Sequence, residues 1–132
     1  MVIFVDTSAL LALIDINDQF YSQAMSTWQK LLDSNDSLVT NNYVLVESIS
    51  LAQRRIGMDA VQILQSEIAP FMDVEWFDAD LHQSAMQRVL ATNRRSLSLV
   101  DCSSFETMKR LGLKTVFTFD EHFRGQGFEV IP

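Results

Sequence analysis

The sequence predicts an α/β fold, a mostly parallel sheet covered by helices on both faces. Three observations carry this. Short β-branched or aromatic runs alternate along the chain with longer stretches of helical period. The short runs are apolar throughout, as strands buried on both faces are. Strand and helix in alternation require crossover connections, which pair strands in parallel and lay helices over the sheet.

The elements follow in order. Val2–Val5 reads as the first strand. Asp6 ends it and opens Thr7-Ser8-Ala9-Leu10-Leu11, the start of a helix. Residues 18–32 carry Tyr21, Ala24, Met25, Trp28, Leu31 and Leu32 at helical spacing. A strand is expected at 37–40. A helix is expected over Asn42–Arg55, with Thr40, Asn41 or Asn42 as its cap. Residues 59–68 and 78–91 form the next helical stretches, separated by a strand at 74–77. Leu99–Leu111 is the last long helix, and Gly112 sits where a terminating glycine belongs. Strands at 115–118 and 128–131 complete the pattern. In such sheets ligands bind beyond the carboxyl ends of the strands, so chemistry is sought there.

Composition narrows the class. The 132 residues suit one domain spanning 1–132. With 48% apolar and 20% charged residues, the chain is neither a disordered tail nor a fibre. No uncharged apolar stretch approaches the roughly 20 residues a membrane helix needs. The opening Met-Val-Ile-Phe-Val is cut at Asp6 and lacks a basic leader, so no signal peptide is expected. One cysteine, Cys102, forms no internal disulfide, and a cytoplasmic location is expected. The net charge of −7 argues against a broad cationic nucleic-acid face, though not against a nucleic acid met through metal ions.

Four acids stand out. Asp6 and Asp120 each follow a strand, and each also has a local reading, as helix cap and as turn residue. Asp101 lies three residues after Ser98, the spacing of a capping box. Glu47 is harder to explain locally. Three of its four helical neighbours, Tyr43, Val44 and Leu51, are bulky, and Arg54 and Arg55 are about two turns away. A carboxylate on a largely apolar face is costly unless it is paired or holds a metal. A parallel sheet can bring all four acids to one edge, where their mutual repulsion calls for cations. Oxygen ligands without a Cys/His pattern favour Mg²⁺ or Mn²⁺ over Zn²⁺. Such a site would serve phosphoryl chemistry. No P-loop, dinucleotide fingerprint or nucleophilic triad competes for the role.

Val5-Asp6-Thr7-Ser8-Ala9-Leu10, Val46-Glu47-Ser48, Leu97-Ser98-Leu99-Val100-Asp101-Cys102-Ser103-Ser104-Phe105 and Thr118-Phe119-Asp120-Glu121-His122-Phe123 occur in this order along the chain. Together they resemble the PIN-domain family, in particular its stand-alone VapC-like ribonucleases. The resemblance implies a three-layer α/β/α fold with a short parallel sheet. It also implies a Mg²⁺- or Mn²⁺-dependent endoribonuclease that hydrolyses RNA phosphodiester bonds. On that resemblance Asp6, Glu47 and Asp101 match the core acids and Asp120 the fourth, more variable one. Thr7, Ser8 and Ser103 match the small hydroxyl residues beside them, placed to orient an acid or touch a phosphate. Many relatives are toxins held by an antitoxin, and many form homodimers, so both partners are implied.

Two other readings compete. One is a PIN-like interaction module without catalysis, against which the four intact acids speak. The other is a phospho-acceptor receiver domain, which needs paired acids at the first strand and a lysine after the last core strand. Asp6 follows Val5 and Lys114 precedes the strand, so that chemistry is not provided. Of the remaining features, His122 reads as a loop histidine with a local hydrogen bond, and His82 as surface. Arg54-Arg55 and Arg94-Arg95 read as solvated helix ends or as phosphate contacts. Met25, Met58, Met72, Met86 and Met108, with Trp28 and Trp76, are expected to fill core or a dimer face, and Cys102 to be a small buried residue.

Overall fold

The computed structural model describes residues 1–132. Five strands form one sheet: β1 (Val2–Val5), β2 (Ser37–Asn41), β3 (Asp73–Glu75), β4 (Thr115–Phe117) and β5 (Glu129–Ile131). All pairings are parallel, in the order β3-β2-β1-β4-β5. Seven α-helices flank it: α1 (Thr7–Ile14), α2 (Tyr21–Asp33), α3 (Asn42–Arg55), α4 (Met58–Ile63), α5 (Ala79–Thr92), α6 (Leu99–Leu111) and α7 (His122–Gly125). This is the three-layer α/β/α arrangement that the sequence predicts.

The register matters for the site. Ile3 pairs with Thr115, Phe4 with Val116 and Val5 with Phe117. The chain winds outward from β1 to β2 and β3, then returns to the other side of β1 for β4 and β5. The strand order therefore reverses between β1 and β4, where an open parallel sheet leaves a crevice at its carboxyl edge. Asp6 leaves β1 there, and its N–H donates to Phe117 O at 3.1 Å.

The core sits on both faces of the central strands. Phe4, Val5, Val116 and Phe117 are fully buried, as the apolar runs require. Phe105 of α6 packs its ring 5.1 Å from Phe123 and 6.2 Å from Phe128, joining α6 to the β5 side of the sheet.

Several predicted bounds move for local reasons. The third strand, expected at 74–77, ends at Glu75 because the Phe77 N–H turns to Asn42 Oδ1. Helix α2 starts at Tyr21 rather than 18, because Asp18 Oδ1 accepts the Phe20 N–H and holds a turn. The stretch 59–68 is not one regular helix. It is α4 followed by a π-helical segment at Leu64–Ile68, and Pro70 lies in the 3₁₀ turn beyond, where it cannot continue the ladder. Helix α6 has its predicted bounds, and Gly112 adopts φ +67°, the left-handed region.

Trp28, Met72 and Met108 are buried as expected, but Trp76 is 70% and Met58 63% exposed. His82 is not a free surface residue. It is half-buried, and its Nδ1 is hydrogen-bonded to the Tyr43 hydroxyl. No helix is long and apolar enough to cross a membrane.

Candidate active site

Asp6 is buried, 3% exposed, at the carboxyl end of β1. Its Oδ2 accepts from Ser8 Oγ and Thr118 Oγ1, each at 2.8 Å, and from Ser8 N at 3.3 Å. The last of these caps α1, so the local reading of Asp6 is correct as far as it goes. All three bonds fall on Oδ2, leaving Oδ1 for another partner. The same two hydroxyls hold the chain after β4: Phe119 N donates to Ser8 Oγ and Asp120 N to Thr118 Oγ1. One hydrogen-bonded knot thus carries both Asp6 and Asp120.

Asp101 stands in the first turn of α6. The capping box is complete: Asp101 N donates to Ser98 Oγ, and Ser98 N donates to Asp101 Oδ2, both at 3.0 Å. The cap occupies Oδ2 and holds the side chain in place. Carboxylate oxygens of Asp101 and Asp120 and a ring nitrogen of His122 lie within 4.8 Å of one another. His122 Nδ1 sits 3.0 Å from Asp120 Oδ1, while its backbone N–H donates to the same oxygen at 2.9 Å. The expected local hydrogen bond of His122 is present, and the ring also joins the acid cluster. That proximity to Asp101 depends on tertiary packing and has no mark in the sequence.

Glu47 is on the second turn of α3, half-buried. No ion pair holds it, although Arg55 lies near enough to favour its charged form. Burial raises its pKa, and the charge of Asp101 raises it further. The Thr7 hydroxyl faces Glu47 and opposes that rise, yet forms no well-shaped bond with it. Thr7 Oγ1 is a buried oxygen without a hydrogen-bond partner.

The four acids act on one another electrostatically. Burial pushes Asp6 up to about 6, and Asp101 adds to the rise, against the hydrogen bonds from Thr118 and Ser8. Asp101 is raised by its own burial and by Asp120, against the Ser98 bonds and His122. Asp101 is therefore the hub: Asp6, Glu47 and Asp120 all sense it or are sensed by it. Such a group of acids is stable as anions only with positive charge among them.

The donor set fits a hard divalent cation. It offers carboxylate oxygens, and it contains a buried hydroxyl, Thr7 Oγ1, that lacks a hydrogen-bond partner. Ser103, expected to orient an acid or touch a phosphate, lies away from the surface. It is fully buried, and its hydroxyl donates to Val100 O at 2.6 Å. Thr118 was not singled out in the sequence, although it holds Asp6; a hydroxyl two residues before a strand-end acid was the available signal. Arg94 and Arg95 are exposed in the segment that leads to Ser98.

Comparison with known proteins identifies the family. The family described as PIN domain matches residues 3–129. The chain is 33% identical over 132 residues to the 23S rRNA-specific endonuclease VapC20 of Mycobacterium tuberculosis, covering 98% of each chain. The crystal structure of that VapC20, a sarcin-ricin loop cleaving toxin, superposes with a TM-score of 0.87 at 32% identity, over 98% of this chain and 99% of the other. VapBC2 from Rickettsia felis, bound to a DNA fragment from its promoter, gives a TM-score of 0.71 at 10% identity, over 98% of this chain and 97% of the other. That second likeness shows the fold alone. With residues 3–129 matched by the family and a 33% identical relative covered over 98% of its length, this protein belongs to the PIN-domain family.

Proposed function

We propose that the chain is a Mg²⁺- or Mn²⁺-dependent endoribonuclease and the toxin of a toxin–antitoxin pair. The observation that supports this is Asp101 beside Asp120 and within electrostatic reach of Asp6 and Glu47. The ion would be held by Oδ1 of Asp6 and by Asp101, with Asp120 and His122 at a second position or acting through water. When bound, it lowers the pKa of a water and offsets charge growing on phosphate oxygens. Glu47 completes the site or holds the attacking water, with the Thr7 hydroxyl facing it. Ser8 and Thr118 keep Asp6 in one rotamer, and the capping box does the same for Asp101. Arg94 and Arg95 meet RNA phosphates at the rim.

VapC20 is specific for 23S rRNA, so ribosomal RNA is the first substrate to test. An antitoxin restrains the enzyme in the cytoplasm. The chain works as one domain over 1–132 and pairs as a homodimer. Its dimer face is the cleft lined by Tyr43, Val46, Leu99 and Val100, which Glu47 also lines, so the seam borders the acids.

The test is cleavage of purified ribosomal RNA with Mn²⁺, with EDTA, and with Asp6→Asn. Metal-dependent cuts at defined positions, lost in Asp6→Asn, are expected. No cleavage, together with no rise in melting temperature on adding Mn²⁺, would leave the inert interaction module instead.

A further inference from the structure

Asn41 is fully buried where β2 passes into α3. Its Oδ1 accepts the Val44 N–H at 2.8 Å and caps α3. Its Nδ2 donates across to α6, to Ser103 Oγ at 3.2 Å and Thr107 Oγ1 at 3.1 Å. Those hydroxyls already spend their protons inside α6, Ser103 on Val100 O and Thr107 on Ser103 O at 2.9 Å. Toward Asn41 they can only accept, which assigns the amide: oxygen to α3, nitrogen to α6.

A cap alone needs only an oxygen, and Ser, Thr or Asp would serve. The use of an amide whose second group bridges to another helix points to more than capping. Helix α3 carries Glu47, six residues after Asn41, and α6 carries Asp101, two residues before Ser103. The two carboxyls feel each other's charge. One residue earlier, Thr40 Oγ1 donates to Val5 O at 2.9 Å, tying β2 to β1 beside Asp6. A buried chain of polar contacts therefore runs from the strand of Asp6 to the helices of Glu47 and Asp101.

We propose that Asn41 is a positioning residue, a clamp that sets the spacing of α3 and α6 and with it the separation of Glu47 and Asp101. The inference rests on the nuclease reading. Asn41 touches neither substrate nor ion; it acts by holding two carboxylates where one cation can meet both. Displacing a catalytic group by about 1 Å can reduce rate about a hundredfold.

The experiment compares Asn41→Ser, which keeps a capping oxygen and removes the bridging donor, with the paired variant Ser103→Ala/Thr107→Val, which removes the acceptors instead. Turnover, KM for RNA, the Mn²⁺ concentration for half-maximal rate, and melting temperature with and without Mn²⁺ are measured in the full chain. For both variants kcat is expected to fall about tenfold to a hundredfold, with KM within about twofold of the parent. The half-maximal Mn²⁺ concentration rises and the melting shift on Mn²⁺ shrinks. Adding Asn41→Ser to the paired variant costs little more, since the bridge is already gone. A lower melting temperature with unchanged kcat and unchanged Mn²⁺ dependence overturns the clamp. If the parent does not cut RNA, the nuclease reading fails first, and the melting shift on Mn²⁺ still judges the clamp.

Discussion

Asp6 is paired on one oxygen and bare on the other, and its buried carboxyl titrates near 6 instead of 3.8. The sign of the consequence follows from proton counting. Between about pH 4 and 6 the folded chain binds a proton at Asp6 that the unfolded chain has lost. Without metal, this residue's contribution to stability is present at low pH and is lost as pH rises through about 6. The displacement corresponds to about 3 kcal/mol. Cation binding needs the ionised form, so it is weak below about 6 and strengthens above it. Melting with Mn²⁺ and with EDTA should show a small ion-induced shift at pH 5 and a larger one at pH 7.5. Equal shifts at both would contradict the assignment. Asp6→Asn keeps an acceptor for Ser8 and Thr118 and removes the buried charge. It should abolish cleavage while raising the melting temperature in EDTA at pH 7.5. A carboxylate whose removal stabilises the fold is held there for function rather than for folding.

At the scale of elements, caps decide the geometry of the site. Gly112 ends α6 at φ +67°, and a Cβ there would meet no atom within 4 Å. Gly112→Ala should therefore cost only backbone strain, about 1 kcal/mol, seen as a modest fall in denaturation midpoint with cleavage retained. Phe105→Ala removes a fully buried ring from the joint with Phe123 and Phe128. The expected loss is about 3–5 kcal/mol, measured by urea unfolding. Much of this layer was legible in the sequence. The run Val2–Val5, the cap at Ser98 and the glycine at 112 are local signals, and local chemistry fixes them. The end of β3 was not legible, because it depends on Asn42 drawing the Phe77 N–H away across the fold. The π-helical segment before Pro70 and the His82–Tyr43 bond are likewise products of packing. Asp6, Glu47, Asp101 and Asp120 could be named because each sits oddly or pointedly in its own stretch. Asn41, Thr118 and His122 could not be ranked with them, since their partners are 62, 112 and 21 positions away in the chain.

The whole molecule carries surplus negative charge and one unusually apolar face beside the site. Val46 is 63% exposed on the helix that bears Glu47, and Trp76 is exposed next to Phe77, which packs on Tyr43 at 4.7 Å. On the proposed dimer, Val46→Arg or Trp76→Arg should shift the mass measured by light scattering from two chains to one, leaving the far-ultraviolet dichroism unchanged. A single-chain mass for the parent would remove the dimer.

The strand order has a temporal consequence. Asp6 and Glu47 leave the ribosome early, but Asp101, Thr118 and Asp120 are encoded in the last quarter of the chain, and β1 waits more than a hundred residues for β4. A nascent chain therefore cannot bring the four acids together until the segment that carries Asp101 to Asp120 has emerged and β4 has docked beside β1.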